Sequence, residues 1–261
     1  MRIGLMLHLL RRPMWLAGYA ADWGGFGLQA IALGVGSLLV VQPVLVTGLL
    51  FALPIGAAWA GRRLSRSDWV AAIVLTAGLA AFLLEGSPTG GADRADIGPW
   101  LVCGAVAGPL LGASVVAALR TSGTARAVLL AFATGLCYGM TAALTKTTVS
   151  LLSDGLGPAA TSWEPYVLAA LASLGMIINQ SAFQAGALSA SLPTLSIVEP
   201  IAAVVIGVTL LDERIQASTP LEWVVIAASV AAMTYSVIVL ARSAAAAEVT
   251  PPVPMVPAPP F

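Results

Sequence analysis

Residues 29–43 read QAIALGVGSLLVVQP, and residues 184–200 read QAGALSASLPTLSIVEP. Both stretches open on Gln-Ala-x-Ala-Leu and close on a polar residue and a proline inside an apolar run. The second carries two extra residues near Leu192-Pro193. A repeat spaced by roughly 150 residues in so apolar a chain points to a duplicated membrane bundle, in which a substrate site lies between the halves.

Composition supports that reading. The chain is 59% hydrophobic and 9% charged, with a mean hydropathy of +0.94. Soluble domains carry roughly 25% charged residues, so these side chains cannot build a water-facing surface. Long apolar runs follow one another with short polar breaks, the pattern of a polytopic α-helical membrane protein. The alternating segments of a membrane β-barrel are absent. Net charge is zero, which gives no footprint for a nucleic-acid partner. Cys103 and Cys137 stand alone in apolar segments and read as small core residues. The apolar run from Ile3 to Leu10 is short, meets Arg11-Arg12 and lacks a small-residue cleavage site, so it does not read as a signal peptide.

The hydropathy pattern predicts an all-α transmembrane bundle of eight spans: Met14–Val35, Ser37–Ala60, Trp69–Glu85, Pro99–Leu119, Ala127–Leu151, Tyr166–Leu188, Leu192–Leu211 and Leu221–Ala241. Tight breaks are expected at Gly34–Gly36 and, in the second copy, at Leu188–Leu192. Residues 1–122 form one half and 123–243 the other. The Ala/Pro-rich tail 244–261 is expected to be disordered or polyproline II.

Threading eight spans sorts the arginines. One side takes Arg2, Arg11, Arg12, Arg62, Arg63, Arg66, Arg120, Arg126 and Arg242, and the other takes Arg94 and Arg214. That bias places both termini in the cytoplasm and the protein in the plasma (inner) membrane. The repeat pairs spans one to three with spans six to eight, an odd offset, so the second copy enters the membrane from the opposite side. The fifth span has no counterpart before Met14. Either the chain evolved without that helix or its start lies upstream.

Ionisable groups inside a bilayer cost several kcal/mol and are functional candidates by default. Asp22, Lys146 and Glu199 are the three here. With a rise of about 1.5 Å per residue, Asp22, Glu199, Asn179 and Gln180 all fall roughly 10–13 Å from the cytoplasmic ends of their spans. If those faces turn inward they line a small hydrophilic site, in which two carboxylates share a proton or hold a cation. Each could equally be a packing hydrogen bond or face a crevice. Pro200 frees a carbonyl one turn before it, and Pro43 does so at the mirrored position with Gln42 beside it, so both are expected helix breaks. Gln184 extends the path. Lys146, about five residues from the end of its span, is expected to snorkel to the headgroups, or to contact an anion or gate on the outer side.

Gly104, Gly108 and Gly112, and again Gly135 and Gly139, have the spacing that lets membrane helices approach closely, either within the bundle or across a homodimer. His8 and most tryptophans read as interfacial. No nucleotide-binding, hydrolase or metalloprotease motif is present, so neither enzyme chemistry nor a cofactor is expected.

The first repeat stretch, together with FQAGALSASLPTLSIVEPIAAVVIGVTLLDERI (residues 183–215), resembles the drug/metabolite transporter (EamA-like) superfamily. Its repeats carry a proline in the third helix of each half and an acidic-plus-basic group, here Asp212-Glu213-Arg214, at that helix's end. Within it the chain is most similar to bacterial relatives of the NIPA-type magnesium transporters, over residues 13–241. Trp15, Gly18 and Gly25 match the second helix of that family. Its following glutamate is Phe26 here, its asparagine Gln29 and its pre-proline threonine Gln42, with Asp22 one turn before the lost acid. The resemblance implies nine spans and a transported solute. Hard oxygen donors without a Cys/His cluster favour a magnesium-like ion over zinc, and a small organic metabolite is the other expected substrate. The contrasting expectation is a non-transporting paralogue that serves as an assembly partner.

Overall fold

A computed structural model describes residues 13–59, 61, 63–186 and 188–249, without the side chains of 13–17, 19, 22, 59 and 247–249. The described residues form ten helices: α1 Pro13–Val35, α2 Leu38–Val46, α3 Gly48–Trp59, α4 Arg66–Gly86, α5 Ile97–Leu119, α6 Gly123–Ser153, α7 Leu156–Thr161, α8 Glu164–Ala185, α9 Leu188–Leu210 and α10 Pro220–Val249. Seven stretches among them are long and apolar enough to cross a membrane, and Trp23–Val35 within α1 is a shorter apolar helix. The protein is therefore a helical membrane bundle.

Local chemistry sets the helix ends. The Ser37 hydroxyl accepts from the Val40 N–H at the start of α2. Ser65 and Asp68 form a reciprocal capping box on α4, and Glu222 accepts from the Ser218 and Thr219 N–H groups at the start of α10. Such caps satisfy amides that no intrahelical carbonyl can reach.

The span expected over Ser37–Ala60 consists of two helices, α2 and α3, which meet at Thr47. Its side chain donates to the Val44 carbonyl at 2.6 Å. Pro43 itself lies inside α2, and α9 continues through both Pro193 and Pro200. The expected breaks at Pro43 and Pro200 are thus not breaks. Each proline deletes one donor, and the rest of the ladder holds the helix. The break expected at Leu188–Leu192 falls instead beside Gly186, where a Cβ would lie 2.8 Å from the Gly123 carbonyl oxygen. That close approach, and not the proline, marks the corner. At the other terminus α10 runs to Val249, so residues 244–249, expected in the disordered tail, are helical. Alanines 244–247 carry the best helix propensity.

α6 is the central helix. α1, α5, α8 and α9 all pack on it, while α3 and α4 pack on α10, and α9 contacts α2, α6 and α10. Glycines set the closest approaches. A Cβ on Gly139 would lie 2.5 Å from Ala202 Cβ and 2.9 Å from the Glu199 carbonyl oxygen, and one on Gly135 would lie 2.7 Å from Val198 Cβ. A Cβ on Gly175 of α8 would lie 2.7 Å from the Tyr138 ring. The expected packing role of Gly135 and Gly139 is thus placed at the α6–α9 seam. Gly104, Gly108 and Gly112 of α5 meet nothing within 4 Å, so the bundle does not use that edge.

The helix ends sort the charges. The segment after α4 lies against the segment after α9: the Thr89 N–H donates to the Arg214 carbonyl at 2.9 Å, Ala92 to Leu211 at 2.7 Å and Gln216 to Gly86 at 2.9 Å. Arg94 and Arg214 therefore share one end. Arg120 and Arg126 flank Gly123, at the opposite end beside Gly186.

Candidate functional site

Of the side chains expected to gather inside the membrane, Glu199 and Asn179 are half-buried, while Gln180 and Gln184 are exposed on α8. Gly175 meets Cys137 and Tyr138, whereas the Glu199 backbone meets Gly135 and Gly139. Asn179 and Glu199 thus lie within about one turn of each other in depth, on opposite flanks of α6. The shared level is there, but the faces diverge, because α6 stands between α8 and α9. No hydrogen bond joins Glu199, Asn179, Gln180, Gln184 and Gln42 among the described residues. The Asp22 side chain lies outside the described residues, as do His8, Arg2, Arg11, Arg12 and Arg62.

Gln42 is 2% exposed and its Nε2 has no partner; the Asn179 Oδ1 is likewise buried without one. Unpaired buried polar atoms each cost about 1–3 kcal/mol, so both mark places where a polar group or water can be met.

The cavity beside the two prolines is not hydrophilic. It measures about 180 Å³ between α2, α4, α9 and α10, with Pro43, Phe82, Pro200, Ile201 and Met233 in its wall. Ser196 and Thr234 are the polar residues of that wall. It opens sideways at Ile201, Val205 and Val230, which are exposed. Pro200 removes the donor that would meet the Ser196 carbonyl, so the freed backbone oxygen belongs to a residue lining this cavity.

Full burial of charge occurs elsewhere, at the Arg94/Arg214 end. Glu213 is wholly buried and Lys146 is 3% exposed. The Lys146 Nζ donates to Glu213 Oε1 at 2.9 Å. The Leu38 N–H donates to Oε1 at 2.8 Å and the Leu39 N–H to Oε2 at 3.0 Å. One carboxylate thus accepts from the first turn of α2 and from α6. The arrangement is electrostatically sound, because a helix N-terminus favours an anion and a buried carboxylate needs every donor it can find. Asp93 Oδ1 stands 3.8 Å from the same amine. Lys146 therefore turns inward to a carboxylate instead of snorkelling to the headgroups, since the paired site solvates its ammonium.

The backbone builds this arrangement. Asp212 has a left-handed φ of 52°, which turns the chain so that the Glu213 N–H donates to the Gly207 carbonyl at 3.0 Å. Gly207 is required there, because a Cβ would lie 2.7 Å from Glu213 Oε2 and 3.2 Å from Leu38 Cβ. A second ion pair stands at the same end: the Arg94 Nε donates to the fully buried Glu164 Oε1 at 2.7 Å, and Glu164 Oε2 has no partner. Trp100 and Trp163 pack edge to face there, with centroids 5.8 Å apart. The sequence reading places Glu213 in the superfamily pattern without a partner, uses Arg94 only to sort the two sides, and gives Glu164 no role. Glu164 sits between Trp163 and Pro165 and Glu213 between Asp212 and Arg214, so neighbouring residues gave the two glutamates no common signal; each one's partner, some 70 residues away, left no local trace.

The described residues hold no group of three or more His, Cys, Asp or Glu side chains able to bind a metal ion. No family model and no solved structure matches the chain. An uncharacterized protein of Corynebacterium glutamicum is 34% identical over 244 residues, covering 93% of this chain and 84% of its own length. The chain belongs to one family with that corynebacterial protein.

Proposed function

We propose that the protein is a secondary transporter or facilitator of the drug/metabolite transporter type, moving a small solute or cation by alternating access between two inverted halves. The observation that carries the reading is polar: Gln42 and Asn179 present unpartnered atoms inside a bundle of membrane-capable helices, and half-buried Glu199 stands at the α6–α9 seam within about one turn of Asn179 in depth, across α6 from it. Bilayer interiors offer such groups no water, so a second conformation or a passing solute is their natural partner. Glu199, with Asp22, binds the proton or cation; Gln42, Asn179, Gln180 and Gln184 contact the path. Both termini are cytoplasmic, and the Arg94/Arg214 end faces outward. A magnesium-like substrate would keep most of its waters, meeting one or two carboxylates at a time.

Flux into proteoliposomes is the test, run for magnesium and for small organic metabolites with wild type and Glu199→Gln. Flux that Glu199→Gln abolishes supports the site. Unchanged flux removes Glu199 from it. A second reading is a non-transporting membrane paralogue that serves as an assembly partner, and the bare Gly104–Gly108–Gly112 edge of α5 favours it. Absence of flux for every solute, with cross-linking of a Gly108→Cys variant into dimers, would select that reading.

A further inference from the structure

We propose that Glu213 is the latch of the outward-facing end, and that its release from Lys146 and from the first amides of α2 opens that end. The inference rests on the transporter reading for its role, but its geometry stands apart from any substrate. One carboxylate ties three elements: its own segment after α9, the N-terminus of α2 through Leu38 and Leu39, and α6 through Lys146. α2 belongs to the first half of the chain, while α6 and α9 belong to the second. The ion pairs of Lys146 and Arg94 both stand at this end. At the opposite end the contact of Gly186 on Gly123 is made by uncharged backbone.

A latch needs a second state of comparable energy. Asp93 supplies it. Its carboxylate is 3.8 Å from the Lys146 amine and is 62% exposed. When Glu213 leaves, Lys146 closes on Asp93, and water reaches the amides of α2 and the freed carboxylate. The ammonium is never left unpaired, so the exchange avoids the largest cost of parting a buried ion pair. The neighbouring segments move with it, because Gly91 lies against the backbone of residues 211–213.

The experiment reads accessibility, not transport. Thr147, fully buried beside Lys146, becomes the reporter as Thr147→Cys after Cys103→Ala and Cys137→Ala. Labelling of intact cells with a membrane-impermeant maleimide should be slow in that background. Glu213→Gln and Lys146→Met should each speed it by about tenfold or more, as a shifted closed–open equilibrium requires. Asp93→Asn, at an exposed position that tolerates change, should slow it several-fold. Equal labelling rates in folded Glu213→Gln and Lys146→Met proteins and in their parent would overturn the latch. If neither folds, an unchanged rate in Asp93→Asn would overturn it. Labelling that responds as described in a protein that moves no solute would keep the latch and remove the transporter reading.

Discussion

Arg94 donates its Nε to Glu164 at 2.7 Å across 70 residues of sequence, and the two partners are unequally placed: the arginine is half exposed and the glutamate is wholly buried. Removing either one therefore has a different consequence. Arg94→Ala leaves a buried, unpaired carboxylate and should lower stability by about 3 kcal/mol. Glu164→Gln leaves a guanidinium that can turn to water and should cost about 1 kcal/mol. The double variant should resemble Glu164→Gln alone. Thermal unfolding in one detergent gives the order, and equal losses from the two single variants would show that the pair is not buried as described.

Glycines on α5 and α6 should respond in opposite ways. Gly139→Ala places a Cβ 2.5 Å from Ala202 Cβ and 2.9 Å from the Ala203 nitrogen. Overpacking of that kind costs about 1–3 kcal/mol or more, and the variant should show reduced yield of monodisperse protein. Gly108→Ala meets nothing within 4 Å and should be neutral for the isolated bundle. Size-exclusion profiles of both variants check the contrast.

Two adjacent glycines after α4 make a finer comparison. A Cβ on Gly91 would stand 2.5 Å from the Asp212 carbonyl carbon and 2.7 Å from the Glu213 nitrogen, whereas one on Gly90 has open space. Gly91→Ala should push the 211–213 turn away and lower the melting temperature by several degrees, on the scale of about 1–3 kcal/mol for overpacking. Gly90→Ala should leave it unchanged within error.

Gln42 separates stability from function. Its Nε2 is buried and unpartnered, so Gln42→Leu should be neutral or stabilising by about 1 kcal/mol. A group kept for its chemistry would nevertheless be missed, and flux in proteoliposomes should fall. Loss of stability with flux intact would make Gln42 an ordinary packing residue.

Much of the architecture was legible because bilayers impose simple rules. Apolar length located the helices, and the arginines sorted onto two ends as Arg94 and Arg214 against Arg120 and Arg126. Local patterns failed where contact decided the outcome. The corner before α9 is set by Gly186 against the Gly123 backbone, a close approach that no hydropathy profile contains. Pro200 looked like a break, yet one missing donor is too little to interrupt a long helix packed on both sides. Depth alone leaves Lys146 as either a headgroup anchor or an outer anion contact or gate, since nothing near it in sequence announces Glu213. Equal depth suggested that Asn179 and Glu199 face each other, but depth says nothing about azimuth, and α6 comes between them.

The α6 contacts carry a further consequence for how sequences in this family can diverge. Gly139 and Lys146 are seven residues apart, close to two full turns; the first addresses α9 and the second the 211–213 turn beyond it. A single inserted residue between them would swing Lys146 by about 100° and advance it about 1.5 Å, out of reach of its carboxylate. Relatives should therefore preserve this interval residue for residue, while accepting length changes in the connection around α7.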